Sequence, residues 1–253
     1  MLSEVLAALP HPEFLIVCVV AIFIAYTIFG IAAFGGSVIS APVLAQIMPV
    51  SMVVPIFAIL DATAAITNGL RTGAKADRQD LILYVPSMMV GTLLGALLLI
   101  YLPTRVLMLM LGIFIIGYAA YGFFARKSGS NLARGWAVPV GTIGGMVGGL
   151  FGMGGPIHAM YFSRRFSDPD VIRTNQSALV MFSTTTRIVV FLFTGLYSNA
   201  TIILLAALLV PITLLGTFTG HHLVLKMSRQ RFFVILYSLL VLSGSALILR
   251  AVL

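Results

Sequence analysis

One arginine lies inside an otherwise apolar run, and its chemistry suits the binding of a small oxyanion. Arg187 falls within the apolar stretch 171–195 and follows the hydroxyl-rich segment Ser183-Thr184-Thr185-Thr186. A guanidinium carries a permanent charge and a fork of N–H donors that matches oxyanions. At membrane depth such a cation costs about 2.5–3.5 kcal/mol, so it needs a partner or a watery cavity. We predict that Arg187 and Thr184 line an anion site; the alternative is that Arg187 extends to the outer membrane surface near Gly195.

An acidic residue, Asp61, lies in a second apolar stretch, residues 50–70. Asp61 and Asn68 are one heptad apart, so they share a face of the expected helix. Intramembrane carboxyl groups either carry protons or pair with a buried cation. For Asp61 both interpretations stay open, proton coupling and a structural pair with Arg187. Asn68 is a candidate substrate ligand on the same face.

Three polar residues of the second half add to this set. His158 is able to shuttle protons or donate to an anion, although a lone histidine is more often a packed, hydrogen-bonded residue. Asn175 and Gln176 open the segment that carries Arg187. They either form the start of that helix or face a cavity, and we expect them to face the cavity.

Two glycine clusters lie where these side chains must be positioned. Phe151-Gly152-Met153-Gly154-Gly155-Pro156 separates two apolar runs, and Phe34-Gly35-Gly36-Ser37, followed by Pro42, is a weaker copy. Such glycines indicate helices that stop and restart, which a membrane tolerates only where the freed backbone lines a cavity or is buried in protein. Their alternative use is close helix packing. The backbone amides that we predict to bind substrate belong to Gly35, Gly36, Ser37, Gly154 and Gly155.

The composition indicates that the chain lies mainly in lipid. Its 253 residues are 60% hydrophobic and 9% charged, with a mean hydropathy of +1.11, whereas soluble domains carry about 25% charged residues. The formal charge of +8 is spread over short loops, which argues against a nucleic-acid partner. We predict a multi-pass protein of the cell (inner) membrane, in one domain, whose apolar helices are also able to pair as a homodimer.

Hydropathy divides the chain into long and short apolar segments. Each long segment approaches the ~20 residues that a spanning helix needs. The long segments lie near residues 14–33, 50–70, 81–101, 104–124, 171–195, 200–221 and 230–251. Residues 136–151, 35–48 and 153–163 are shorter, and the last two begin at a glycine cluster. These two are compressed spans, half-helices or arms of re-entrant hairpins.

The basic residues orient these segments. Loops 71–80, 125–135, 163–173 and 222–231 hold most of the fifteen Lys and Arg, and positive loops face the cytoplasm. This bias requires that 35–48 and 153–163 both cross, which gives ten segments with both termini outside. The residues placed in the cytoplasm are Arg71, Lys75, Arg78, Arg126, Lys127, Arg134, Arg164, Arg165, Arg173, Lys226, Arg229 and Arg231.

The ten segments divide into two similar halves. Short matches recur in the same order in both. They pair Phe34-Gly35 with Phe151-Gly152, Thr72-Gly73 with Thr194-Gly195, and Thr92-Leu93-Leu94-Gly95 with Thr213-Leu214-Leu215-Gly216. Because five is odd, the second copy would enter the membrane inverted. We predict an all-α polytopic bundle of two inverted five-segment repeats, 1–124 and 136–253, joined by a cytoplasmic connector at 125–135.

The paired glycine motifs, the chain length and the two-fold apolar plan resemble the TauE/SafE family of sulfite and organosulfonate exporters. The resemblance covers nearly the whole chain. It implies a secondary transporter that exports a small sulfur-containing anion, such as sulfite or sulfoacetate, by alternating access. The first motif is shorter than the second, so the two half-sites need not be equivalent.

Two other classes of function stay open. A passive small-anion channel or uniporter would use the same residues. An intramembrane enzyme is less favoured, because the sequence contains neither H-E-x-x-H nor G-x-S-x-G. We predict no enzymatic activity, no cofactor and no metal.

Overall fold

The computed structural model describes residues 13–32, 35–72, 77–124, 132–222 and 229–252. Within these ranges every regular element is helical, which confirms the all-α class. The α-helices, numbered in chain order, are α1 Glu13–Ala32, α2 Gly36–Leu44, α3 Val50–Thr72, α4 Arg78–Tyr101, α5 Thr104–Phe124, α6 Ala137–Phe151, α7 Gly155–Arg165, α8 Pro169–Phe193, α9 Ala200–His222 and α10 Arg229–Val252. Two 3-10 turns, Arg134–Trp136 and Leu196–Ser198, precede α6 and α9.

Several of these helices are long and apolar enough to cross a membrane. Five qualify by length and composition among the described residues: Val50–Thr67, Gln79–Tyr101, Thr104–Phe123, Thr174–Phe193 and Ala200–His222. Shorter apolar stretches, Leu15–Ile31 and Leu240–Val252, lie in α1 and α10. The predicted segments and the helices agree to within a few residues.

Apolar side chains cover much of the outer surface. Ile82, Ile113, Phe193 and Leu242 are each more than 60% exposed. A soluble monomer rarely exposes contiguous apolar surface on this scale. The surface therefore suits lipid chains, and the protein is a membrane protein.

Small residues bring two pairs of helices into close contact. Gly145 of α6 lies so close to α4 that an added Cβ would overlap the Met88 carbonyl oxygen. Gly220 of α9 stands in the same relation to the Thr27 carbonyl oxygen of α1. These glycines, which lie outside the two clusters, therefore serve close helix packing.

Helix α3 lies at the centre of the bundle. It packs against α8 and α9, and also touches α1, α2, α4, α5 and α6. Of its apolar stretch Val50–Thr67, 61% is buried. The side chains that α3 presents to α8 therefore lie in the protein interior, and Asp61 is among them.

Some predicted features lie outside the described residues. These are the N-terminal residues 1–12, most of the connector 125–135, and the loop residues Lys75 and Lys226. Asn68 is part of α3, but its side chain is outside those that the structure describes.

Candidate functional site

Both glycine clusters interrupt a helix, and each interruption contains a glycine with left-handed backbone. Gly35, between α1 and α2, has φ 103°. Gly152, between α6 and α7, has φ 76°. Residues with a side chain rarely adopt these angles, so glycine permits the chain to stop and restart here. Pro156, in the first turn of α7, favours the restart.

The two interruptions meet in the protein interior. The Ser37 hydroxyl of α2 donates a 2.5 Å hydrogen bond to the Gly152 carbonyl oxygen. A cavity of about 20 Å³ lies beside this contact, which is room for about one water molecule. Its lining residues are Phe29, Gly35, Ser37, Val38, Asp61, Gly152, Gly154, Gly155, Pro156, His158, Val180, Ser183 and Arg187.

Arg187 and Asp61 form a buried ion pair on one side of the cavity. Arg187 Nη2 lies 3.2 Å from Asp61 Oδ2, and the residues are 2% and 3% exposed. The Tyr26 hydroxyl donates a 2.7 Å hydrogen bond to Asp61 Oδ1. Arg187 therefore does not extend to the membrane surface. The structural pair is present, and proton coupling by Asp61 stays a prediction.

Arg187 has donor capacity that the ion pair does not use. Its Nε and Nη1 atoms are buried and have no hydrogen-bond partner among the described residues. Nη1 lies beside Gly152, since a Cβ on that glycine would come within 3.1 Å of it. An unpaired buried donor costs about 1–3 kcal/mol, and more when it is charged. This guanidinium is therefore suited to an acceptor that enters the cavity.

His158, on α7, also lines the cavity. Its Nδ1 atom lies 2.8 Å from the Tyr84 hydroxyl of α4. Gly144 and Gly154 leave room for the imidazole, because a Cβ on either would come within 2.8 Å of a ring atom. His158 is thus both packed and in contact with the cavity. Its predicted role in proton transfer stays open.

Gln176 supports the second interruption from α8. Its Nε2 atom donates a 2.7 Å hydrogen bond to the Gly155 carbonyl oxygen. Its Oε1 atom is buried without a partner among the described residues. Gln176 therefore holds the start of α7. It contacts Gly155 of the cavity lining but is not itself part of that lining.

Asn175 and Thr184 point elsewhere. Asn175 Oδ1 accepts from the Asp77 backbone N–H, and its Nδ2 donates to the Val171 carbonyl oxygen. The Thr184 hydroxyl donates to carbonyl oxygens of its own helix, at 2.8 Å and 3.0 Å. Neither residue lines the cavity. Gly36 lies next to it, packed on the Tyr26 ring, which a Cβ would approach to 3.0 Å.

Three residues of the site were not among the predicted ligands. Tyr26 holds Asp61, Gly152 carries the positive φ, and the Ser183 hydroxyl faces the cavity at 3.5 Å from Thr92 Oγ1. For Ser183 the sequence contains a signal, because the match of Thr72-Gly73 with Thr194-Gly195 places Ser183 opposite Asp61. For Tyr26, in an apolar run, no such signal exists.

The fold and the cavity define an integral membrane protein of the helical class, with a polar cavity between two interrupted helices. The chain belongs to the sulfite exporter TauE/SafE family, whose family model matches residues 18–247. The predicted resemblance is therefore confirmed, and the family is one of membrane transporters. No curated protein and no solved structure matches the chain.

Proposed function

We propose that the protein is a secondary transporter that exports a small sulfur-containing anion, such as sulfite or sulfoacetate, across the cell (inner) membrane. The family supports transport of this class of solute. The single observation that carries the proposal for this chain is Arg187. It is 2% exposed and keeps two nitrogen donors free beside the cavity.

The surroundings of Arg187 complement an oxyanion. The first turns of α2 and α7 begin at the cavity, and the leading N–H groups of α2 have no partner within their own helix. At α7, Pro156 has no N–H, and Ile157 and His158 donate to the Gly154 carbonyl oxygen, so the Gly155 N–H is the leading donor there. Both helices also direct the positive end of their dipole toward it. The Ser183 hydroxyl adds a donor. Sulfite and sulfonates present a compact negative charge and three oxygen acceptors, so this donor set matches them.

Helix packing supports an arrangement of two inverted repeats, residues 1–124 and 136–253. In that arrangement α1 corresponds to α6, α2 to α7, α3 to α8, α4 to α9 and α5 to α10. The close contact of α1 with α9 then has its counterpart in α6 with α4, and both contacts exist. Helices α3 and α8 are counterparts of each other and are in contact, and the same holds for α5 and α10. Each of these helix contacts therefore has the counterpart that two inverted repeats would produce.

The size of the cavity supports alternating access. About 20 Å³ holds about one water molecule, whereas sulfite has four heavy atoms and sulfoacetate has more. The two interruptions must separate before an anion enters. In the proposed cycle this arrangement would be a closed state, held by the hydrogen bond between Ser37 and Gly152.

The basic residues support the proposed topology. Arg134 and Arg164 lie at one end of the bundle, where Leu132 N–H donates to the Arg164 carbonyl oxygen. Arg105 and Arg250 lie at the other end, where their side chains bond to the Ala251 and Gln46 carbonyl oxygens. The first end would face the cytoplasm together with the connector 125–135, both termini would be outside, and all ten segments would cross.

Flux into proteoliposomes tests the proposal. Liposomes with wild-type protein should take up labelled sulfite or sulfoacetate, and an opposing pool of unlabelled anion should accelerate uptake, as expected for a carrier. Arg187→Gln should abolish the flux, whereas Arg105→Gln, at the bundle end, should not. Flux without acceleration by the opposing pool would indicate a passive channel. Normal flux in a folded Arg187→Gln protein would contradict the proposed site.

A further inference from the structure

A charged cluster lies at the far end of α7 from the cavity. Asp80, on the first turn of α4, is only 1% exposed. Arg165 Nε lies 2.8 Å from Asp80 Oδ2, and Arg134 Nε lies 3.4 Å from Oδ1. Two guanidinium groups therefore share one carboxylate, and the charge of Asp77, at the N-cap of α4, also acts on Arg165, so the four side chains together carry no net charge. Both arginines keep contact with solvent, with 31% and 42% of their side chains exposed.

Side chains, not close backbone packing, join α7 to α4. The His158 ring meets the Tyr84 hydroxyl at 2.8 Å, and the Tyr161 hydroxyl lies 3.5 Å from Asp80. The two backbones are not among the helix pairs in close contact, whereas α4 and α6 are. Polar contacts thus lie at both ends of the α4–α7 interface, and between them the rings of Tyr84, Tyr161 and Phe162 pack together. The contact at the cavity end is that of His158, and the one at the other end leads to the partly exposed Arg165.

The repeat does not account for this cluster. The matches that align the halves place Arg165 opposite Met48 and Asp80 opposite Thr201, and neither residue is charged. The first half thus packs its short helix without an ion cluster. The charges at the end of α7 are therefore specific to the second half of the chain.

We propose that Arg165 and Arg134 form a second anion-binding site, at the mouth of a route between α4 and α7. The carboxylate of Asp80 occupies this site until a small oxyanion replaces it. This inference rests on the proposed function. A carboxylate and a sulfonate offer a guanidinium the same kind of acceptor oxygens, so one substitutes for the other. The exposed side chain of Arg134 is accessible to an anion from solution.

Displacement of the Asp80 carboxylate from Arg165 by an anion also opens the route. A buried carboxylate that loses its cation is strongly destabilised unless water reaches it. Once an anion takes Arg165, water must enter between α4 and α7 to hydrate Asp80. Binding at the mouth thus separates the two helices and connects the cavity with solution. The site is both the first contact of the anion and the gate of its route.

Cysteine labelling tests this site. Cys18 is the only cysteine in the sequence, so Cys18→Ala provides a cysteine-free background. A reporter cysteine, Ser183→Cys, lies in the cavity lining. The probe is a membrane-impermeant maleimide, added to either face of membrane vesicles. A separate Ser163→Cys protein, labelled at the exposed end of α7, identifies the vesicle face at which that helix ends.

Loss of the ion pairs should open the route from this face. Arg165→Gln and Asp80→Asn should each raise the labelling rate of the reporter about tenfold or more, the equivalent of one charge-assisted hydrogen bond. Arg105→Gln is the matched control and should leave the rate unchanged. Arg165 is partly exposed, so Arg165→Gln keeps the test valid if Asp80→Asn does not fold. Unchanged labelling in a folded Arg165→Gln protein would overturn the gate.

A response to anions separates a binding site from a static ion pair. The measurement uses the Arg187→Gln background, so that anions do not shield the reporter from within the cavity. Sulfoacetate added at the end of α7 should accelerate labelling, and Arg165→Gln should remove this response. No acceleration in the protein with Arg165 intact would overturn the anion site. Acceleration without any flux in the liposome assay would instead contradict the proposed transport function and leave this site standing.

Discussion

The Ser37 hydroxyl and the Gly152 carbonyl oxygen join the two interrupted helices across 115 residues of sequence. The carbonyl lies where the chain leaves α6 and no longer follows helical geometry, so a partner from outside that helix satisfies it. The contact holds α2 against the second interruption and closes the cavity on that side.

Removal of this hydrogen bond should loosen the closed state. Ser37→Ala leaves a buried carbonyl without its donor, at a cost of about 1 kcal/mol. We expect a melting temperature lower by roughly 2–4 °C, the shift that such a change causes in a protein of this size. Ser163→Ala, at the exposed end of α7, is the control and should melt as the wild type does. An unchanged melting temperature for Ser37→Ala would show that the two interruptions are held by other contacts.

The two left-handed glycines allow backbone strain and the anion site to be separated. Alanine at either position costs about 1–2 kcal/mol of backbone strain. Around Gly35 the space is otherwise open, with Ile28 at 3.7 Å from an added Cβ, whereas at Gly152 the Cβ would also come within 3.1 Å of Arg187 Nη1. Both variants should have a lower melting temperature than the wild type, and Gly152→Ala should in addition bind the anion more weakly.

Gly117→Ala is the control for these variants, because an added Cβ there meets nothing within 4 Å. Equal anion affinity in Gly35→Ala and Gly152→Ala, measured by titration of the purified proteins, would argue against a site at Arg187 Nη1.

The charge pair in the interior should show strong coupling. Asp61→Asn leaves the guanidinium of Arg187 buried without a counter-charge, which typically costs 3–5 kcal/mol. Replacement of both residues by uncharged ones, Asp61→Asn with Arg187→Met, should be much less destabilising than Asp61→Asn alone. Chemical unfolding of the two single variants and the double variant gives this coupling energy. Additive effects would mean that the pair contributes nothing beyond its members.

Close helix packing at equivalent places predicts equivalent effects of added volume. Gly95→Ala would force α4 away from the Met146 carbonyl oxygen, and Gly216→Ala, its counterpart in the repeat, would force α9 away from that of Phe23. Overpacking of this kind costs about 1–3 kcal/mol. Thermal melting should show a similar loss in both variants and none in Gly117→Ala. A loss in only one of them would contradict the proposed equivalence of the two helix pairs.

The sequence predicts the helices of this protein well, because the boundaries follow length and polarity. Residues 106–124 form an apolar run that follows Pro103, Thr104 and Arg105, and α5 spans Thr104–Phe124. The glycine clusters likewise mark both interruptions, since only glycine supports the backbone angles at residues 35 and 152. The pairing of Asp61 with Arg187 was one of two open interpretations, and burial of opposite charges explains it.

It is harder to predict which side of each helix faces the protein interior. An apolar helix has no polar stripe to show which side faces the interior. Tyr26 therefore resembles any lipid-facing aromatic residue of its run, although its hydroxyl holds Asp61. Asn175 and Gln176 are adjacent in sequence, but only Gln176 reaches the second interruption, while Asn175 binds the backbone before α4. Such details depend on the rotation of α8, which tertiary packing decides.

Equilibrium binding to Arg187 variants shows whether the buried guanidinium holds the anion. Purified wild-type protein, Arg187→Gln and the control Arg105→Gln are titrated with labelled sulfite and sulfoacetate. A charge-assisted hydrogen bond contributes about 1.5–3 kcal/mol, so Arg187→Gln should bind roughly 10–150 times more weakly, with Arg105→Gln unchanged. Wild-type affinity in a folded Arg187→Gln protein would contradict the claim that the free nitrogens of this buried guanidinium hold the anion.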